Sequence, residues 1–142
     1  MKDLSLEEYR SLAEFRYQIR RFLGFSEEQV RAAGMEPQQH QLLLAVKGLP
    51  DGVTATIGEL AERLQLKHHS TVELVNRLEK LGYVARAASK EDRRQVIVHL
   101  THSGASILRK LSLAHHQELE IAGPQLSKAL RSIAAHRRAN AA

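Results

Sequence analysis

Residues 56–101 read TIGELAERLQLKHHSTVELVNRLEKLGYVARAASKEDRRQVIVHLT, and this stretch decides the fold. Thr56 and Glu59 have the S/T-x-x-E spacing of a capping box, and Leu60, Ala61 and Leu64 give the helix that follows a buried face as far as about Gln65. After a short joint, Leu66, Lys67 and His68, a second helix runs to about Leu81. Its Thr71, Leu74, Val75 and Leu78 fall together at i, i+3, i+4 and i+7, and Gly82 ends it. Tyr83 to Ala87 and Gln95 to Leu100 are short strand-like runs, the second alternating Val96, Val98 and Leu100 with Gln95, Ile97 and His99. They are expected to pair antiparallel. Between them Ala88 to Arg94 is polar, charged and too long for a two-residue turn, so it projects as a loop.

Helical sequence flanks this section on both sides. From Ser5 to about Ala33, Tyr9, Leu12, Phe15, Ile19, Phe22 and Leu23 recur at three- and four-residue steps, a stripe that needs a partner. Gly34 suits a left-handed closure and Pro37 the first turn of another helix, Pro37 to Lys47, which reads as buried. Leu49 to Ala55, with Pro50, Asp51 and Gly52, is a turn cluster. Beyond the ribbon, Thr101 caps a helix from His102 to about Ala122. Gly123 and Pro124 are expected to break it before a last helix striped with Leu126, Ala129, Leu130, Ile133 and Ala134. The expected fold is therefore mainly α with a small antiparallel β-ribbon. Residues 1–142 form one protomer, in which 54–101 are a winged helix-turn-helix lobe and 5–48 and 102–136 are helical dimerisation segments.

Composition narrows the chemistry. The 142 residues include no Cys and no Trp, 43% are apolar and 26% charged, which fits one compact domain or a protomer of a small oligomer. Without cysteine there is no thiol redox switch, no disulfide framework and no Cys-ligated zinc, and the missing cysteines suit a cytoplasmic address. No run of about 18 apolar residues is present, and Met1 to Glu8 is polar and acidic where a signal peptide would be basic and then apolar; neither a membrane span nor export is expected. The net charge of +5 favours a polyanionic partner, and it is spread as −1 over residues 1–56, +2 over 57–100 and +4 over 101–142.

Two short helices followed by a two-stranded ribbon with a charged loop have the layout of a winged helix-turn-helix. With Thr71, Leu74, Val75 and Leu78 inward at 100° per residue, the opposite side of the second helix shows His69, Glu73, Asn76 and Lys80, flanked by Ser70, Val72 and Arg77. An arginine on the ribbon tip can enter a minor groove whose negative potential attracts guanidinium, and an adjacent Asp can orient it. The candidate DNA-binding set is His68, His69, Ser70, Thr71, Val72, Glu73, Asn76, Arg77 and Lys80 on the helix, with Lys90, Asp92, Arg93 and Arg94 on the loop.

Three pieces of this stretch carry a resemblance. The helix ending NRLEKLGYV, the wing motif Asp92-Arg93-Arg94 and its continuation through Val96 and Val98 to Leu100-Thr101 resemble the DNA-binding half of MarR-type transcriptional regulators. The order of the flanking helices is similar too, so the resemblance covers essentially the whole chain. It implies a sequence-specific DNA-binding regulator: a dimer interlocked through the first and last helices, repressing at a palindromic operator. It further implies that Arg94 is the wing arginine of the minor groove, that Asp92 orients it, and that His69 and Ser70 lie at the groove-facing helix start. Where many members have a basic residue this chain has Glu73, which can accept from cytosine N4. The resemblance also implies a crevice for a small aromatic or anionic effector, with Arg16, Tyr17, Arg20 and His40 as candidate liners.

Two further readings compete with this one. Eight histidines, at 40, 68, 69, 99, 102, 115, 116 and 136, could supply bases or ligands, yet none stands in an H-E-x-x-H pattern or a phosphate-binding loop, so no enzyme, cofactor or metal site is expected. His115 and His116 read as exposed helix histidines, since adjacent helix residues point about 100° apart. The remaining alternative is a winged-helix module that binds protein without operator DNA.

Overall fold

The structure is a computed structural model that describes residues 3–141, with side chains as far as residue 136. Its elements are α1 (Leu6–Ala32), α2 (Pro37–Lys47), α3 (Ile57–Leu64), α4 (His68–Lys80), β1 (Val84–Ala88), β2 (Val96–Leu100) and α5 (His102–Ala141). They divide into two compact units, Val30–Ser112 and residues 1–29 with 113–142, called here the lobe and the hairpin. This differs from the expected division, because α2 goes with the lobe, packing on α3, α4 and β2. Leu42 and Leu43 on α2 are fully buried there, which ties that helix to the core rather than to the flanking segments.

The lobe is organised by its caps. Thr56 Oγ1 accepts from the Glu59 backbone N–H at 3.2 Å, so one half of the expected capping box forms; the other does not, because the Thr56 N–H donates to the Thr54 carbonyl and the Glu59 carboxylate accepts from Arg63. A left-handed Gln65 (φ +54°) ends α3, and the Leu66 N–H returns to the Ala61 carbonyl at 3.0 Å, which turns the chain into α4. Thr71, Leu74, Val75 and Leu78 are all buried, joining Leu60, Leu42, Leu43, Val84, Val98 and Leu108 in one core. Gly82 (φ +83°) follows α4, and the Tyr83 N–H bonds back to the Leu78 carbonyl at 2.9 Å, delivering the chain to β1.

The ribbon pairs antiparallel in the register Val84↔Leu100, Arg86↔Val98 and Ala88↔Val96. Ile97 and Val98 point to opposite faces and both are buried, so the alternation read in the sequence is not a clean inside–outside pattern. Both belong to the core of the lobe, and at the edge of β2 away from β1 the Val98 N–H donates to the Ala55 carbonyl at 2.9 Å, so the end of the turn cluster pairs with β2. At the base of the ribbon Thr101 caps α5 through the Gly104 N–H, at 3.1 Å, and its hydroxyl donates to the Gly82 carbonyl at 2.6 Å. A Cβ at Gly104 would lie 2.0 Å from the Tyr83 carbonyl oxygen, so only glycine allows this approach.

In the hairpin the expected break at Gly123 and Pro124 does not occur; α5 runs through Pro124. Proline removes one helical donor and frees the carbonyl four residues earlier, that of Glu120. Pro124 and Glu120 are both exposed, so water can take up that carbonyl while the neighbouring turns keep their bonds. The two helices of this unit meet where Ser11 bonds Ser132 at 2.8 Å. His115 is buried, its ring edge-on to Phe22 and Phe25 with centroids 6.2 Å away in each case, which corrects its expected exposure; His116 is exposed, 3.9 Å from Glu120.

Candidate nucleic-acid interface

The helix-turn-helix presents its second helix by burying one side and leaving the other clear. With Thr71, Leu74, Val75 and Leu78 in the core, His68, His69, Glu73, Asn76, Arg77 and Lys80 are exposed, and Ser70 and Val72 half-buried. Thr71 leaves the contact set. It is wholly buried, and its hydroxyl donates to the Lys67 carbonyl at 3.0 Å, so it fixes the start of α4 instead of reaching out from it. No acidic side chain stands in the first turn of α4, whose unpaired N–H groups and positive dipole end suit a phosphate.

The wing loop, residues 89–95, has a defined frame. Ser89 Oγ accepts from the Glu91 and Asp92 N–H groups at 3.2 and 3.3 Å, and the Ser89 N–H donates to the Gln95 carbonyl at 2.9 Å. Asp92 Oδ1 accepts from the Arg94 N–H at 3.0 Å and lies 3.9 Å from Arg94 Nε. Lys90, Arg93 and Arg94 are exposed, and the Arg94 side chain is 97% accessible. Three cations therefore stand at the tip of a turn closed by these bonds, with Asp92 held beside Arg94.

Two residues of this face were not read from the sequence. Ser89 could have been, since a serine opening a charged loop is a turn signal. Arg86 could not, because its role rests on a contact between different elements. From β1 its guanidinium donates to Asn76 Oδ1 on α4 and lies 3.5 Å from Glu79 Oε1. The candidate effector residues fall in separate units. Arg16, Tyr17 and Arg20 are exposed on the hairpin part of α1, and Arg21 lies over the Tyr17 ring at 5.8 Å; His40 is buried in the lobe. Among the described residues no group of three or more His, Asp or Glu side chains is placed to hold a metal ion. No helix among them is long and apolar enough to cross a membrane.

Residues 33–95, from the end of α1 to the wing loop, match the family model described as MarR family. The chain is 33% identical over 112 residues to the HTH-type transcriptional regulator YfiV of Bacillus subtilis, covering 76% of this chain and 68% of that protein. The chain belongs to the MarR family. Among solved structures, AbsC, a MarR family transcriptional regulator from Streptomyces coelicolor, superposes with a TM-score of 0.72 at 20% identity, over 98% of this chain and 99% of that one. A Staphylococcus aureus MepR mutant bound to an oligodeoxyribonucleotide superposes at 0.64 and 16% identity, over 99% and 100% of the two chains. The helical architecture with one antiparallel ribbon is thus the MarR winged-helix fold, and the protein is a DNA-binding transcriptional regulator.

Proposed function

We propose that this MarR-family protein acts in the cytoplasm as a homodimeric repressor that binds a roughly palindromic operator. In this reading α4 of each protomer enters a major groove and Arg94 of each wing enters the flanking minor groove. The observation that carries the proposal is the pairing of a cleared α4 face, His69, Glu73, Asn76 and Lys80, with a braced wing whose Arg94 side chain is almost wholly exposed. His68, Ser70, Val72 and Arg77 flank that face, and Lys90 and Arg93 add phosphate attraction at the tip. MepR, similar in fold, has been captured with an oligodeoxyribonucleotide, which supports the same use of this lobe.

The dimer is supported by the hairpin, where Tyr9, Leu12, Leu23, Leu119, Ile121 and Leu130 are exposed along two long helices. A two-fold dimer presents identical recognition helices to grooves about 34 Å apart on one DNA face, hence the palindrome. An aromatic or anionic effector belongs to the same reading, drawn by the exposed Arg16, Arg20 and Tyr17 and lowering operator affinity by favouring a spacing that no longer fits the grooves.

Mobility shift and footprinting test the proposal. Salt-sensitive binding to random duplex, with a protected palindrome at a selected site, is the expected result. A protein adaptor would bind no duplex at low salt, and protection of a single half-site by one dimer would refute the two-fold reading. Thermal shift with aromatic carboxylic acids tests the effector, since a bound ligand raises the melting temperature by mass action.

A further inference from the structure

Arg86 sits on the inner face of β1, two residues after the buried Val84 and opposite Val98. That position turns its side chain towards α4, where the guanidinium divides between Asn76 and Glu79. Arginine has donors only, so the end of the Asn76 amide that faces it must be the oxygen; the amide orientation follows from the chemistry of its neighbour. Asn76 nevertheless belongs to the exposed side of α4, in line with His69, Glu73 and Lys80.

An unencumbered asparagine in a major groove pairs with adenine, accepting from N6 with its oxygen while donating to N7 with its nitrogen. With a guanidinium held on Oδ1 that edge is changed: one lone pair of the oxygen is taken, the cation's own N–H groups oppose the approach of an N6 donor to the other, and the NH2 is the end of the amide left to bond a base. Donors suit guanine, which presents two acceptors, O6 and N7. They suit cytosine least, which presents only an N4 donor. We propose that Arg86 is a specificity-setting positioning residue, converting Asn76 into a donor-only reader that prefers guanine over adenine and rejects cytosine at one position of each half-site. The inference rests on the proposed use of α4 in the major groove and adds which base its central asparagine selects.

The test uses the full chain and a duplex selected from a random library, with every base pair of the half-site substituted in turn. Wild type should show one position where guanine exceeds adenine by about fivefold or more, and cytosine is worst, on the scale of one good groove contact. Asn76→Ala should flatten that position alone. Arg86→Ala should raise adenine to or above guanine there, leaving the other positions and the order of their preferences intact. Asn76→Asp keeps an oxygen for Arg86 but replaces the donor with an acceptor, so it should turn the preference to cytosine even if Arg86→Ala lowers the melting temperature. Unchanged preferences in Asn76→Ala would overturn the proposal by making Asn76 a phosphate contact or a bystander. Unchanged preferences in a folded Arg86→Ala would reduce Arg86 to a staple between ribbon and helix. In both of those cases the DNA reading itself would survive, whereas wild type that selects no duplex would remove that reading and this one together.

Discussion

The lobe and the hairpin use opposite materials for their interiors. Among the described residues, Ala129 is the only buried apolar one in the hairpin, and all the others, from Val30 to Leu111, lie in the lobe. The hairpin instead buries Ser11, Gln18, Ser26 and His115 and, among the described residues, leaves ten large apolar side chains exposed, against three in the lobe, Leu44, Leu81 and Val96. The lobe satisfies its own hydrophobic surface and can hold a reading face still; the hairpin's exposed apolar surface is the one that the proposed dimer would cover. The proposed function thus puts association and DNA reading in different parts of one protomer, and substitutions should separate them.

The largest effect should come from the exposed side of the hairpin. Ile121, 75% accessible, is the most exposed of its large apolar residues. If a second copy covers it, burial contributes about 1.5–3 kcal/mol per side chain, twice in a symmetric dimer, so Ile121→Asp should weaken association by about 3–6 kcal/mol. Sedimentation at micromolar concentration should show wild type as a dimer and the variant as monomer. A variant that remains dimeric would erase the contrast between the units.

The next effect belongs to the lobe. Leu60 is fully buried beneath α3, and Leu60→Ala should cost about 2–5 kcal/mol through lost transfer energy and an incompletely collapsed cavity. Melting should drop by several degrees, and the drop should persist at any protein concentration. The same truncation at the exposed Leu12 should leave lobe unfolding nearly unmoved and act through association alone. Equal intrinsic losses at the two sites would mean that the hairpin is as self-sufficient as the lobe.

Arg94→Ala should give a third, smaller and differently placed effect. Its side chain touches solvent almost everywhere, so melting and dimerisation should not change, while operator affinity should fall by about 1–3 kcal/mol. Normal operator affinity would remove the groove role. Lysine in its place should restore the salt dependence of binding but only part of the affinity, because it keeps the charge and loses the planar fork.

These expectations also show where the sequence was informative. The lobe was legible because its signals are local: Thr56 three residues before Glu59, Thr71 to Leu78 at helical spacing, and a charged run between two short apolar ones. What was not legible depends on contacts between elements. Ala55 reads as the end of a turn cluster, yet its carbonyl accepts from the Val98 N–H and pairs with the edge of β2. Pro124 reads as a stop, but an exposed position lets one missing bond be replaced by water. Thr71 stands beside the exposed start of α4 in sequence, but its helical position with Leu74 and Leu78 turns it inward and takes it out of the expected DNA contacts. In the hairpin the stripe of Tyr9, Leu12 and Leu23 was visible, but a periodic pattern gives a direction and not the identity of what covers it. Arg86 is the clearest case, since nothing in a strand residue announces that it will reach Asn76, ten positions earlier, across a helix.

The smallest effect expected is at Asp92, and it decides whether the wing is braced by geometry or by charge. Oδ1 of Asp92 accepts from the Arg94 N–H at 3.0 Å and stands 3.9 Å from Nε of the same residue, so one oxygen serves both the turn and the guanidinium. Both side chains are more than half exposed, and an ion pair in such surroundings contributes at most about 1 kcal/mol. Asp92→Ala removes both functions and should weaken operator binding by at most about fivefold, less than Arg94→Ala, with melting unchanged. Asp92→Asn keeps an oxygen for the Arg94 N–H and discards the charge. If the backbone bond positions the arginine, the Asn variant should titrate operator like wild type; if the carboxylate aims the guanidinium, Asn and Ala should be equally impaired, and wild-type affinity in both would leave Asp92 no part in reading DNA. The backbone bond is the shorter and better directed of the two, so wild-type behaviour of Asp92→Asn with impairment of Asp92→Ala is the outcome expected.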